Sequence, residues 1–223
     1  MRFQSIDISL IEKLRLETGD LLLFTSKGKW YDRFLNYFTA STLTHIGIIL
    51  KNPTYIDEKL TGYYLLESGM EPFPDSEDNK YKFGVQISDL NKIFDEYTNG
   101  NNGNLFFRRL HCVRDTQFYE KIKITYERIK NAPYDLNPLD WISADLKLNH
   151  KINIGNNYQI KHFWCSALVG YFYYNLDFID KNIGWSYLAP CQFSSNDNRQ
   201  LDFKDCSLSN DKIIQFNKYV SSG

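Results

Sequence analysis

Three short strings carry the residue types that can do chemistry together: Thr44-His45-Ile46-Gly47-Ile48-Ile49-Leu50, Leu65-Leu66-Glu67-Ser68, and Phe163-Trp164-Cys165-Ser166-Ala167-Leu168-Val169. A thiol nucleophile needs a base to take its proton and a third group to orient that base, and these types recur in many chain orders. Here the order is His45, Glu67, Cys165. Each residue alone has a plain structural reading. Free cysteine is among the most buried residue types, so Cys165 can be a packing residue. His45 can be a satisfied histidine within a sheet. Glu67 follows Tyr63-Tyr64-Leu65-Leu66 and is costly to bury unpaired, so it lies either at an exposed strand end or against a partner such as His45.

The elements that must position them can be read from apolar spacing. Residues 44 to 50 and 62 to 68 are β-rich, and Asn52-Pro53 and Gly62 lie in the connection, which predicts an antiparallel hairpin. A register setting Gly47 against Leu65 and Ile49 against Tyr63 places His45 opposite Glu67, where Cβ atoms sit about 4.5 to 5.5 Å apart. The run Cys165 to Asn175 predicts a helix burying Leu168, Phe172 and Tyr171, with Cys165 in its first turn. Unpaired amides and the positive dipole end of a helix start favour a thiolate and an oxyanion.

Around these, Gly19-Asp20 leads into a short buried strand at Leu21-Leu22-Leu23-Phe24. Trp30, Phe34, Tyr37 and Phe38 predict a short amphipathic helix over residues 29 to 39. A polar loop from Glu71 to Lys82 precedes a strand at Phe83 to Ile87 and a helix from Ser88, read as its cap, to Tyr97. Residues 99 to 104 form a surface turn and Leu105 to Leu110 another strand. Phe118, Ile122, Tyr126 and Ile129 mark a helix capped by Asp115 and ended by Pro133. Residues 138 to 146 predict a further short helix and residues 149 to 161 a loop. Trp185, Tyr187 and Leu188-Ala189-Pro190 read as an extended wall, and Ser209 as the cap of a last helix running to Val220.

The 223 residues fit one domain, and 43% hydrophobic with 24% charged residues is ordinary for a globular chain. A net charge of −1 with no basic stripe argues against nucleic acid as a partner. No run reaches a membrane span, and the first residues lack the pattern of a signal peptide, so a cytoplasmic location is expected. The four cysteines form no dense framework and are expected as free thiols. His162, Cys165, Cys191 and Cys206 offer donors for zinc, but the usual second close-spaced pair is missing. No cofactor or metal is assigned. Abundant Asn, Ile and Lys match an AT-rich genome, viral or similarly biased.

The chain resembles the permuted papain-fold amidases and peptidases of the bacterial YiiX/YaeF group, which are related to NlpC-type cell-wall hydrolases and a poxvirus protein family. The matching strings are Gly19 to Phe24, Thr44 to Ile48, Leu66-Glu67-Ser68 and Trp164 to Val169, and more loosely Pro133-Tyr134-Asp135 and Leu188 to Phe193. The resemblance implies an α+β, circularly permuted papain-like (NlpC-type) fold, its antiparallel sheet packed against helices. It also implies Cys165 as nucleophile, His45 as base and Glu67 as orienter. Gln192 departs from the pattern, since relatives often carry an acid there. The expected function is a thiol hydrolase cleaving an amide or ester through an acyl-enzyme, with a peptide, acyl-amide or lipid-like small molecule as substrate. Lipid acyl transfer by the same thioester chemistry and a non-catalytic lipid- or peptide-binding module are the alternatives.

Overall fold

Leu21, Leu22, Leu23 and Phe24 are all buried, although a strand's side chains point alternately to opposite faces. Both faces of strand β1 (Leu21–Thr25) are therefore covered, which is why its sequence is an unbroken apolar run. The computed structural model describes residues 8–25, 42–99, 103–135 and 163–216. Predicted elements at 29–39, 138–146 and 149–161, together with His150 and His162, lie outside the described residues.

The remaining strands are β2 (Leu43–Lys51), β3 (Tyr63–Gly69), β4 (Gly84–Asp89), β5 (Leu105–Arg108), β6 (Leu110–His111), β7 (Ser207–Leu208) and β8 (Lys212–Ile213). A six-stranded sheet runs β4-β3-β2-β1-β5-β8, with each neighbouring pair antiparallel, and β6 pairs with β7 separately. The α-helices among the described residues are α1 (Ile8–Leu14), α2 (Leu90–Asn99), α3 (Thr116–Ile129) and α4 (Cys165–Asn175). The expected α+β class is observed. One face of the sheet, with Leu21, Leu23, Ile46, Ile48 and Leu66, packs against α3 and α4. The other, with Leu22, Ile49 and Leu65, packs against Ile11 of α1 and Leu90, Ile93 and Phe94 of α2. Among the described residues no helix is long and apolar enough to cross a membrane.

Helix α3 forms as its pattern predicts. Asp115 accepts a hydrogen bond from the Phe118 amide at 2.9 Å, and Phe118, Ile122, Tyr126 and Ile129 are buried on one side. Helix α4 keeps its predicted bounds but not its predicted amphipathicity: every residue from Cys165 to Tyr173 is buried. A helix apolar all round belongs inside the protein.

Four expectations are corrected. The β2/β3 hairpin is real, but its register is shifted by two residues: Ile49 faces Leu65 and Lys51 faces Tyr63. The turn sets this. Asn52 donates its amide to the Gly62 carbonyl at 2.7 Å and accepts the Gly62 amide on its side chain at 2.7 Å, closing the hairpin there. Ser88 does not cap α2. It stays in β4, and the Asp89 side chain takes the Asn91 amide instead. The segment after Ser209 is no helix within the described residues, because Lys212–Ile213 adds to the edge of β5. The predicted extended wall is two short 3-10 turns, Trp185–Tyr187 and Pro190–Phe193, with Leu188 and Ala189 extended between them.

Candidate active site

The site lies at the end of the sheet where β2 begins and β3 finishes. His45, on β2, sits beside a bulge: Phe24 faces His45, yet Thr25 faces Leu43, so Thr44 is left over. Bulges of this kind re-aim side chains and are frequent beside active sites. The His45 ring packs on Phe24 with centroids 5.0 Å apart. Carried on, the observed register would put Gly69 opposite His45 and set Glu67 on the diagonal. A shift of two keeps all of them on one face, and diagonal pairs are within reach of long side chains.

His45 Nε2 and Glu67 Oε2 are 2.6 Å apart. Glu67 is fully buried and His45 is 22% exposed, so the carboxylate is enclosed while the imidazole keeps an open side. Of the two readings of Glu67, the paired one holds. Its other oxygen accepts the Ser88 hydroxyl at 2.5 Å, so neither carboxylate oxygen is left without a donor. An ionised carboxylate only accepts, so Nε2 carries the proton and Nδ1 is the basic nitrogen of the neutral ring.

Cys165 opens α4, and the preceding Trp164 supplies no side-chain cap. The first amides of a helix have no partner inside it and favour negative charge. Three bonds locate this turn. Ser166 Oγ and Trp164 Nε1 both donate to the Leu188 carbonyl, at 2.6 and 3.2 Å, and Ser68 Oγ donates to the Phe163 carbonyl at 2.6 Å. Gly170 lets α4 lie close to the following segment: a Cβ there would come within 2.7 Å of Leu188 Cδ1 and 2.9 Å of the Trp185 carbonyl.

The structure holds Glu67 against His45, and Cys165 is close enough to act on the same imidazole. Burial of His45 by itself would lower its pKa, but the charge of Cys165 and a hydrogen bond to it, followed by Glu67, raise it well above its ordinary value. Tyr134 is a neighbour that the sequence reading left without a role. Burial, and then the charge of Cys165, push its phenol pKa up, so the hydroxyl stays neutral and keeps its proton to donate. Gln86 faces Glu67 across β3 and β4, is 1% exposed, and neither of its amide atoms finds a hydrogen-bond partner among the described residues. Ser68, Ser88 and Gln86 were missed. The polar-apolar-polar alternation Gln86-Ile87-Ser88 in a strand was the available signal for two of them.

Of the zinc donors considered, His162 lies outside the described residues, and among the described residues no group of three or more His, Cys, Asp or Glu side chains is arranged to hold a metal ion. Gln192 closes a turn, its Oε1 accepting the Ala189 amide at 2.9 Å. An open hollow lined by Glu17, Lys51, Tyr55, Arg114 and Tyr119 lies at Lys51, the far end of β2 from His45.

No known family and no curated protein matches the sequence. Among solved structures the chain is weakly similar to the crystal structure of the metalloprotein YiiX from Escherichia coli O157:H7, with 17% identity and a TM-score of 0.43. The similarity covers 72% of this chain and 66% of that one, so the chain spans just under two thirds of the YiiX length.

Proposed function

We propose that this chain is a thiol hydrolase on a permuted papain-like scaffold, cleaving an amide or ester bond through Cys165, His45 and Glu67. The observation that carries the reading is the fully buried Glu67 carboxylate held 2.6 Å from Nε2 of a partly open imidazole. A buried carboxylate so placed fixes the tautomer and orientation of a base and stabilises its protonated form.

In the proposed reaction His45 Nδ1 takes the Cys165 proton and the sulfur attacks the substrate carbonyl carbon. The developing oxyanion meets the uncapped amides at the start of α4, in the manner of other acyl-transfer sites. Collapse breaks the bond to the amine or alcohol, which leaves with the proton from the imidazolium, and a thioester remains on Cys165. Water, deprotonated by His45, then releases the acid and restores the thiol. The description of YiiX as a metalloprotein belongs to that protein, and no step proposed here is routed through a metal.

The test is site-resolved alkylation with iodoacetamide, together with hydrolysis of a small activated acyl ester. Cys165 should react fastest of the four cysteines, and Cys165→Ala should abolish the acyl-enzyme. His45→Ala should slow acylation by about a hundredfold or more, and Glu67→Gln should slow it in the same sense. Alkylation of Cys165 no faster than that of Cys112, Cys191 or Cys206, with no acyl adduct, would overturn the reading.

A further inference from the structure

Strands β6 and β7 pair antiparallel, Leu110 with Leu208 and His111 with Ser207. Continued one step past its last pair, the same register would set Cys112 opposite Cys206. The type of pairing follows from the hydrogen bonds. The Ser209 amide donates to the Arg109 carbonyl at 2.8 Å, which makes Arg109 and Ser209 a hydrogen-bonded pair. Strict alternation then makes Leu110 with Leu208, and two steps on Cys112 with Cys206, non-hydrogen-bonded pairs. Those are the closer kind, with Cα atoms about 4.5 Å apart. A disulfide spans about 4.4 to 6.8 Å between Cα atoms. Both thiols are free and half-buried, and both act electrostatically on the buried Tyr173 phenol.

We infer that Cys112 and Cys206 are a dithiol pair that oxidises to a disulfide, fastening the C-terminal strap (β7 and β8) to β6. The oxidant is a small-molecule disulfide of the glutathione class. One cysteine thiolate attacks a sulfur of glutathione disulfide, forming a mixed disulfide and expelling one glutathione thiolate. The second cysteine, deprotonated in turn, attacks the protein-side sulfur, forms the Sγ–Sγ bond and expels the other glutathione. The two thiol protons end on the two glutathione thiols. Burial pushes both thiols up, Cys206 to about 12, with Cys112 as the largest charged contribution after burial. Thiolate is scarce at neutral pH, so closure is slow and quickens as pH rises.

The strap backs the candidate site. Arg108 donates to the carbonyls of Ser209 and Phe193, each at 2.6 Å, and Asp211 accepts the Ser194 hydroxyl at 2.5 Å and the Ser195 amide at 2.9 Å. These contacts brace the Pro190–Phe193 turn just beyond Leu188, whose carbonyl holds the residues flanking Cys165.

The experiment treats the full chain, as wild type and as Cys165→Ala, with glutathione disulfide, then reads intact mass, the non-reduced peptide map and thermal unfolding. The expected result is loss of two hydrogens without retained glutathione, one linked peptide joining Cys112 to Cys206, and a raised Tm that reductant reverses. Cys112→Ser and Cys206→Ser should each retain glutathione on the remaining partner. A folded wild-type protein that keeps glutathione adducts on both cysteines, or that links either one to Cys191 or Cys165, would overturn the inference. Mapping the wild type needs no variant to fold.

Discussion

Ser68 Oγ donates to the Phe163 carbonyl at 2.6 Å, across 95 positions of sequence, while its neighbour Glu67 holds His45. Adjacent residues of one strand point to opposite faces, so β3 grips the base with one side chain and the approach to Cys165 with the next. A single short piece of backbone thus ties the imidazole to the segment that leads into Cys165.

Replacing Ser68 with Ala removes the shorter of two hydrogen bonds to the Phe163 carbonyl and leaves the Asp135 amide at 3.3 Å, which costs about 0.5 to 1.5 kcal/mol. In a chain of this size that is a fall in Tm of about 1 to 6 °C. Cys165 alkylation, measured well below the transition, should also slow, because its first turn loses one of three anchors. An unchanged alkylation rate with lowered Tm would confine Ser68 to stability.

His45 links the site to pH. Its pKa in the folded chain is raised above the ordinary 6.5, the Cys165 and Glu67 contributions outweighing burial. A raised value means that folding favours the protonated ring. The associated stability is present in full below pH 6.5 and fades as pH climbs through the folded value. Cys165→Ala removes the leading raising partner, so the His45 titration seen by NMR should move down and the fading begin at lower pH. A titration unmoved by that substitution would separate the two side chains.

Gln86 carries a buried amide with no partner among the described residues, a state that costs about 1 to 3 kcal/mol. Gln86→Leu removes the orphaned atoms and keeps most of the volume, so chemical denaturation should show the variant to be more stable by about 1 kcal/mol. Lower stability would reveal a partner for that amide, and a buried water is the simplest.

How much of this was readable depends on the range of the interaction concerned. The His45 and Glu67 pairing was legible because strand alternation has period two, and a register error of two residues preserves every face. The error itself came from the Asn52 side chain on the Gly62 amide, a bond that no apolar pattern encodes. Ser88 and Asp89 are both good caps, and the choice between them is made by Glu67, 21 positions earlier in the chain. The segment after Ser209 has helical spacing, but the open edge of β5 offers backbone partners that spacing cannot anticipate. Local signals were enough for α3, whose cap and stripe lie within a few turns of each other.

Helix α4 is enclosed along nearly its whole length, from Cys165 to Tyr173. Detached from the sheet it would have no wet side to float on, so fragments and half-assembled chains carry the sulfur without the imidazole. Under the proposed function, reactivity would be a property of completed assembly, and a nascent or unravelled chain would hold only an ordinary thiol, harmless to whatever lies nearby.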